Sequence, residues 1–152
     1  MAMIHEFVIM DNINDRLDYV KFRDNKSNYD FSGLHDNYLL PILNRLNSIN
    51  TYNGAYPNFL EKPFKNLCYY GITLIPLESL EEFRETLSKS KELFFSEEFR
   101  LKNNLSLNPV NDKNDSDIIY IDLDKLSKEF DSLEQLILRA IKKDTFLVHY
   151  GI

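Results

Sequence analysis

Runs of apolar residues near both ends of the chain and in its middle predict the strands of a sheet. Residues 3–10 (MIHEFVIM) and 145–150 (TFLVHY) are rich in β-branched and aromatic side chains, which is typical of buried strands. Residues 67–75 have the same character and are followed by Pro76, and residues 118–121 (IIYI) form a shorter run. The pattern predicts a sheet of about four or five strands.

Other segments place apolar residues at the three- and four-residue spacing of an amphipathic helix. Such positions recur in three groups: Leu39, Ile42, Leu43, Leu46 and Ile49; Leu80, Phe83 and Leu87; and Leu133, Leu136, Ile137, Ala140 and Ile141. Ser79 and Glu82 have the spacing of a capping box, which predicts the start of the second helix. A separate short helix is expected near Leu126. Residues 13–23 fit a helix or a strand, and residues 92–107 predict a short helix followed by an extended piece. With three to five helices packed on the sheet, the predicted fold class is α+β.

Length and composition indicate one globular domain covering residues 1–152. A chain of this size buries a core of its own, and a hydrophobic content of 43% with 11 Phe and 9 Tyr excludes a disordered chain. The single cysteine, Cys68, cannot form a disulfide within the chain, so an oxidising compartment is not implied. The first residues lack the basic and apolar regions of a signal peptide, and no run is apolar enough to span a bilayer. These features predict a cytoplasmic protein.

The chain is acidic, and the excess of negative charge lies in its second half. The net charge is −6, from 18 Lys and Arg against 24 Asp and Glu. Residues 1–76 contribute −1 to this charge and residues 77–152 contribute −5. Nucleic acid and anionic membranes bind basic surfaces, so neither is an expected partner. A protein with a basic surface suits this balance better.

No sequence motif names a reaction or a cofactor. The chain has no GxSxG, HExxH, glycine-rich phosphate-binding or dinucleotide-binding motif. The oxygen-rich stretch from Asp112 to Asp124 fails the EF-hand pattern, because its sixth and twelfth positions hold Asp117 and Leu123 instead of Gly and Glu. We therefore predict no catalytic residue, no metal and no cofactor, and a protein that is not an enzyme. Carboxylates that are distant in the sequence still leave acid–base chemistry open.

Three histidines and the cysteine are the remaining candidates for chemistry. His5, His35 and His149 have no metal-binding spacing with each other or with Cys68, which disfavours a zinc site. His5 and His149 lie in the two terminal strands and come close together if those strands pair. A Cys68–His149 dyad across the sheet is a second possible arrangement, and a hydrogen-bonded core histidine is the plainest one.

A group of carboxylates is the first candidate for binding a partner. Glu78, Glu81, Glu82 and Glu85 have helical spacing, so their like charges repel and need solvent or a cation nearby. The group predicts either a docking face for lysine and arginine side chains or a solvated helix with acids near its N-terminus.

Tyrosines are the second candidate. Tyr52 and Tyr56 lie in an aromatic-rich segment, and the Cys68–Gly71 segment (CYYG) adds two more tyrosines beside a glycine. Because tyrosine is enriched at binding hot spots, these residues predict an aromatic recognition patch. Core packing beneath a loop is the alternative.

Two segments, Tyr69–Leu80 (YYGITLIPLESL) and Phe146–Ile152 (FLVHYGI), resemble small bacterial immunity proteins of polymorphic and contact-dependent toxin systems. The resemblance covers about 20 of the 152 residues. It implies a small cytoplasmic protein that binds a toxin domain tightly without chemistry. No binding residue is carried over by position, because these families differ in fold.

The leading hypothesis is therefore a non-enzymatic immunity protein that binds and neutralises a cognate toxin domain, for example a basic nuclease. One alternative is a small enzyme or ligand-binding domain with a pocket between residues 50–65 and the sheet, and with His5 or His149 as its polar centre. A further alternative is an oligomeric adaptor in which the strand at residues 145–150 lies at an edge and pairs with a second subunit.

Overall fold

A computed structural model of the chain describes residues 3–11, 19–54, 61–109 and 117–151. Within these residues there are eight strands: β1 (Ile4–Met10), β2 (Phe31–His35), β3 (Asn50–Asn53), β4 (Pro63–Lys65), β5 (Ile72–Ile75), β6 (Leu105–Ser106), β7 (Ile119–Tyr120) and β8 (Phe146–Tyr150). Six of them form the main sheet in the order β2-β1-β8-β5-β3-β4, with every neighbouring pair antiparallel. The strands β6 and β7 form a separate parallel pair.

Helices fill most of the connections between these strands. In the described residues they are α1 (Tyr19–Asp24), α2 (Asp36–Leu39), α3 (Leu77–Leu93), α4 (Glu97–Lys102) and α5 (Leu123–Lys142), with short 3-10 helices at Lys26–Asn28 and Leu40–Leu46. The predicted α+β class is confirmed, although the main sheet has six strands instead of four or five. No helix in the described ranges has both the length and the apolar character required to cross a membrane.

The long helices α3 and α5 pack against each other and cover one face of the sheet. Because side chains alternate along a strand, Phe7 and Ile9 of β1 point to this face together with Leu147 of β8. They join Phe83 and Leu136 from the two helices in one buried cluster. The apolar spacing that predicts these helices is therefore the spacing of their buried side.

The opposite face of the sheet is covered by a smaller cluster. Val8, Val148 and Tyr150 point to this face and pack against Phe22 of α1. The rings of Phe22 and Tyr150 are stacked with their centroids 5.2 Å apart. The helix α1 overlaps the end of the segment 13–23, for which the sequence allows a helix or a strand, and residues 12–18 lie outside the described part of the chain.

The strand β8 lies inside the sheet, between β1 and β5, and not at an edge. Val148 is the register partner of Val8 on one side and of Leu74 on the other. Both ladders of backbone hydrogen bonds are thus occupied within the chain. The expectation that residues 145–150 form an exposed edge strand, on which the adaptor hypothesis depends, is wrong because the terminal strands pair with each other and leave no free edge on β8.

The predicted strand at residues 67–75 is shorter than expected and covers only β5. Before it, Gly71 N–H donates to the Cys68 carbonyl oxygen at 3.2 Å and closes a turn. Cys68 N–H donates to Thr73 Oγ1 at 2.7 Å. Both the N–H and the carbonyl group of Cys68 are therefore hydrogen-bonded outside the sheet, and strand pairing begins only at Ile72.

Two helix boundaries also differ from the prediction. The helix α3 begins directly after Pro76, and Ser79 Oγ donates to the Asn50 carbonyl oxygen at 2.6 Å instead of capping the helix. The two helices expected near Leu126 and after it are a single helix, α5. Asp122 caps this helix by accepting from the backbone N–H of Asp124 at 2.9 Å.

Candidate functional site

The four predicted carboxylates lie on the exposed side of α3, near its N-terminus. Glu78, Glu81, Glu82 and Glu85 are all exposed, and the apolar positions between them are buried. Glu78, Glu82 and Glu85 follow one side of the helix at positions i, i+4 and i+7. The structure therefore places these side chains on one solvated surface, as their spacing predicts.

Glu81 is already engaged in a contact between the two long helices. It forms an ion pair with Arg84, and Arg84 Nη1 also donates to Glu134 Oε1 of α5 at 3.1 Å. The hydrogen bond from Arg84 lowers the pKa of Glu81. The carboxylate of Glu81 is thus less available to an external cation than its exposure suggests.

The other three carboxylates differ in their partners. Glu82 Oε1 accepts from Ser48 Oγ at 2.8 Å. Neither Glu78 nor Glu85 forms a side-chain hydrogen bond or an ion pair with any residue in the part of the chain that the structure describes. Among the four predicted carboxylates, Glu78 and Glu85 are therefore the two that are not paired with a described residue.

An open groove of about 610 Å³ lies where β3 and β4 approach the start of α3. Tyr52 and Glu78 both line this groove, together with Phe64 and Lys65. The fold thus brings together one predicted tyrosine and one predicted carboxylate that are far apart in the sequence. The other predicted tyrosine, Tyr56, lies outside the described residues.

A second polar cluster lies under the helices, at the end of the sheet where β5 begins. His5 Nδ1 is 3.0 Å from His149 Nε2, and His5 Nε2 is 3.3 Å from Asp36 Oδ1. Tyr69 Oη donates to the same Asp36 Oδ1 at 2.5 Å, and His149 Nδ1 lies 3.5 Å from Thr73 Oγ1. We call these five residues the histidine chain. The predicted approach of His5 and His149 is confirmed, because β1 pairs with β8.

The partners of the histidine chain determine which atoms carry the hydrogens. Asp36 accepts, so His5 Nε2 is the protonated nitrogen and His5 Nδ1 is free to accept from His149 Nε2. His149 Nδ1 then accepts from Thr73 Oγ1, which itself accepts from Cys68 N–H at 2.7 Å. Every donor in the chain points towards Asp36, and both imidazoles are neutral with their hydrogen on Nε2.

Burial explains why both histidines are neutral. The side chains of His5 and His149 have no exposed surface. Burial lowers the pKa of His149 well below its ordinary value, and the adjacent His5 lowers it further. Burial also lowers the pKa of His5, and the hydrogen bond with Asp36 opposes this change only in part.

The histidine chain does not lie in the groove. Neither His5 nor His149 is among the described residues that line it, so the pocket hypothesis with a histidine centre does not fit this geometry. The Cys68–His149 dyad is not formed as a direct contact. Cys68 reaches His149 only through its backbone N–H and Thr73, and its thiol makes no hydrogen bond within the described residues.

Asp36, Tyr69 and Thr73 are members of the histidine chain that sequence patterns do not single out as a group. They come from the start of α2, from the turn before β5 and from β5 itself, and no spacing links them. In the described ranges, no group of three or more His, Cys, Asp and Glu side chains is arranged to hold a metal ion.

No protein-family model, curated protein or solved structure matches this chain.

Proposed function

We propose that this protein binds and neutralises a toxin domain through a surface that carries lysine and arginine, and that it performs no reaction itself. The observation that carries the proposal is the groove in which exposed Glu78 lies with Tyr52. From there, carboxylates continue along α3 to Glu85. This acidic surface, defined by Tyr52, Glu78, Glu82 and Glu85, presents negative charge beside an aromatic ring.

The physical chemistry of association supports such a role. Exposed carboxylates attract a basic partner over several ångströms and increase the association rate more than the bare affinity. A tyrosine adds apolar contact area together with a hydroxyl group, which makes it effective in an interface. The chain's net charge of −6 also favours association with a basic partner.

The two segments that resemble immunity proteins are neighbours in the fold. Ile72 of the first segment is the register partner of Tyr150 in the second. Beyond the ladder, Gly151 N–H donates to the Gly71 carbonyl oxygen at 2.7 Å. The resembling residues thus form one structural unit that leads directly into α3.

The experiment that tests the proposal is affinity capture of the tagged full-length protein from its native host, followed by mass spectrometry. We expect a toxin domain in roughly stoichiometric amount, and we expect co-expression of this protein to abolish that domain's toxicity. The proposal fails if candidate toxins are expressed but none is captured or neutralised. The groove would then be examined for small-molecule ligands.

Charge reversal tests the acidic surface directly. In the double variant Glu78→Lys/Glu85→Lys, we expect the association rate with the captured toxin to fall about tenfold or more at low salt. The dependence of that rate on salt should also weaken. These two positions are chosen because reversal of Glu81 would also disrupt its pairing with Arg84.

The matched control is Glu92→Lys/Glu98→Lys, which changes the net charge by the same amount at exposed positions away from the start of α3. Stopped-flow or surface-plasmon-resonance measurements give the association rate of each double variant. If the association rate falls equally in the two double variants, the decrease is caused by the change in net charge, and the acidic surface is not the docking site.

A further inference from the structure

The turn at residues 68–71 is held rigidly against the end of β8. Gly71 N–H closes the turn on the Cys68 carbonyl oxygen, and Gly71's own carbonyl oxygen accepts from Gly151 N–H at 2.7 Å. A methyl group added at Gly151 would lie only 2.2 Å from the Tyr69 carbonyl oxygen, so the two backbones are in direct contact. Four hydrogen-bonding groups of the turn and its surroundings thus fix its backbone before any partner binds.

This turn presents the most exposed aromatic side chain among the residues that the structure describes. Tyr70 is 80% exposed. Its ring meets the ring of Tyr69 edge-on, with the centroids 4.6 Å apart. Tyr69 in turn bonds Asp36 through its hydroxyl group. Tyr70, Tyr69 and Asp36 therefore form one contiguous cluster, which we call the tyrosine turn site.

The charge of Asp36 is not compensated within the described structure. Its two hydrogen-bonding partners are a neutral imidazole and a phenol, and both bond the same oxygen, Oδ1. No lysine or arginine in the described ranges forms an ion pair with it. Its side chain is 18% exposed, and Oδ2 forms no hydrogen bond with a described residue. A partly buried carboxylate in this state is stabilised by an external cation.

We propose that the tyrosine turn site binds an arginine guanidinium group of the protein partner. The guanidinium stacks on the open face of Tyr70 and donates to Oδ2 of Asp36. A planar guanidinium suits this arrangement better than a lysine ammonium, because it combines ring stacking with directional N–H donors and is more weakly hydrated. Phosphate and carboxylate groups are excluded by the charge of Asp36.

This site is separate from the acidic surface. The tyrosine turn precedes β5, whereas Pro76 and Glu78, which line the groove, follow it. The inference rests on the proposed function only in taking a protein as the source of the guanidinium group. Binding of the group itself is measured without any partner, so the two proposals fail independently.

The test is an NMR titration of the full-length protein with N-acetyl-arginine amide. The neutral isostere N-acetyl-citrulline amide serves as the ligand control. We expect saturable shifts of the Tyr70 ring and of the backbone at residues 68–71 with the arginine compound, and much smaller shifts with the citrulline compound. Similar shifts with both compounds, or arginine-dependent shifts confined to α3, would overturn the inference.

Two variants assign the binding to named groups. Tyr70→Ala is expected to raise the Kd for the arginine compound about two- to fivefold, the range of an exposed cation–π contact. Asp36→Asn keeps an amide oxygen that can still accept from His5 and Tyr69 but removes the charge, so the arginine-specific shifts should be lost. Tyr120→Ala, at another exposed tyrosine, should leave the Kd unchanged. An unchanged Kd in both Tyr70→Ala and Asp36→Asn would contradict the proposed site.

Discussion

At the scale of single residues, the histidine chain shows how a polar cluster is accommodated inside an apolar core. His5 and His149 are buried, and an unpaired imidazole nitrogen there would cost free energy. The arrangement avoids this cost because each nitrogen has a partner and each hydrogen points towards Asp36. One carboxylate thus sets the tautomer of two histidines.

The neutral histidines predict a dependence of stability on pH. The folded-state pKa of His5 and His149 is lowered below the ordinary value near 6.5, so the unfolded chain binds more protons as the pH falls. Their contribution to stability is present above about pH 6.5 and decreases below it, by at most about 1.4 kcal/mol per pH unit for each histidine. Urea unfolding between about pH 7.5 and pH 5.5 measures this decrease.

The histidine resonances provide an independent check of the same prediction. In the folded protein both rings should remain neutral, with hydrogen on Nε2, below their unfolded pKa, and the ring of His149 well below it. A folded-state titration of either ring near the ordinary value, or stability that does not change over this pH range, would contradict the assigned tautomers.

At the scale of elements, the contact between the tyrosine turn and the end of β8 depends on a glycine. The backbone at Gly151 approaches the carbonyl oxygens of Tyr69 and Cys68 closely enough that no side chain fits between them. This close approach explains why a strand prediction for residues 67–75 extends too far. The backbone groups of the turn form hydrogen bonds within the turn and with Gly151, so the turn does not continue β5.

Gly151→Ala should therefore destabilise the protein. The new methyl group would lie 2.2 Å from the Tyr69 carbonyl oxygen and would force one backbone to move, which we expect to cost roughly 1–3 kcal/mol. Chemical denaturation with an unchanged m value measures this loss.

Gly33→Ala is the matched control. Its methyl group would lie 2.8 Å from Ile4 Cγ2, and because Ile4 is 43% exposed, rotation of that side chain towards solvent relieves the contact without moving the backbone. It should change the unfolding midpoint much less. Equal midpoints for the two variants would show that the close approach at Gly151 does not constrain the turn.

At the scale of the whole molecule, the sheet joins the two ends of the chain. The strand β1 at residues 4–10 pairs with β8 at residues 146–150, and β8 in turn pairs with β5. Leu147 belongs to the core beneath the long helices, and Val148 belongs to the cluster on the opposite face. Both hydrophobic clusters therefore depend on the same central strand.

Deletion of residues 145–152 is expected to prevent folding. It would remove a strand that is bonded on both sides, together with buried side chains on both faces. These losses should exceed the 5–15 kcal/mol by which a domain is typically stable. We expect insoluble protein or a chain without cooperative thermal unfolding by circular dichroism. A soluble truncation with the native spectrum and a cooperative transition would contradict the central position of β8.

Part of the fold could be predicted because the spacing of apolar residues along a segment indicates which of its sides is buried. The apolar spacing of Leu80, Phe83 and Leu87 predicts α3, and the exposed carboxylates between them follow from the same period. The alternation of β8 side chains between the two hydrophobic clusters is not visible in its sequence, because this strand is buried on both sides. Positions that depend on distant neighbours, such as the start of α3 and the turn before β5, differ from what local spacing predicts.

Local patterns in the sequence predict the α+β class, the strands β1, β5 and β8, the helices α3 and α5 and the exposure of the carboxylates on α3, because each depends on residues within a few positions of one another. The strands β2, β3 and β4 of the main sheet are not predicted by such patterns. The strand order, the position of Tyr52 and Glu78 in one groove, and the chain of polar contacts from Thr73 to Tyr69 depend on the assembled sheet. Those features join segments up to 144 residues apart, as for His5 and His149. No local spacing encodes such contacts, because strand pairing, burial and the close approach of two backbones arise only when the whole sheet has assembled.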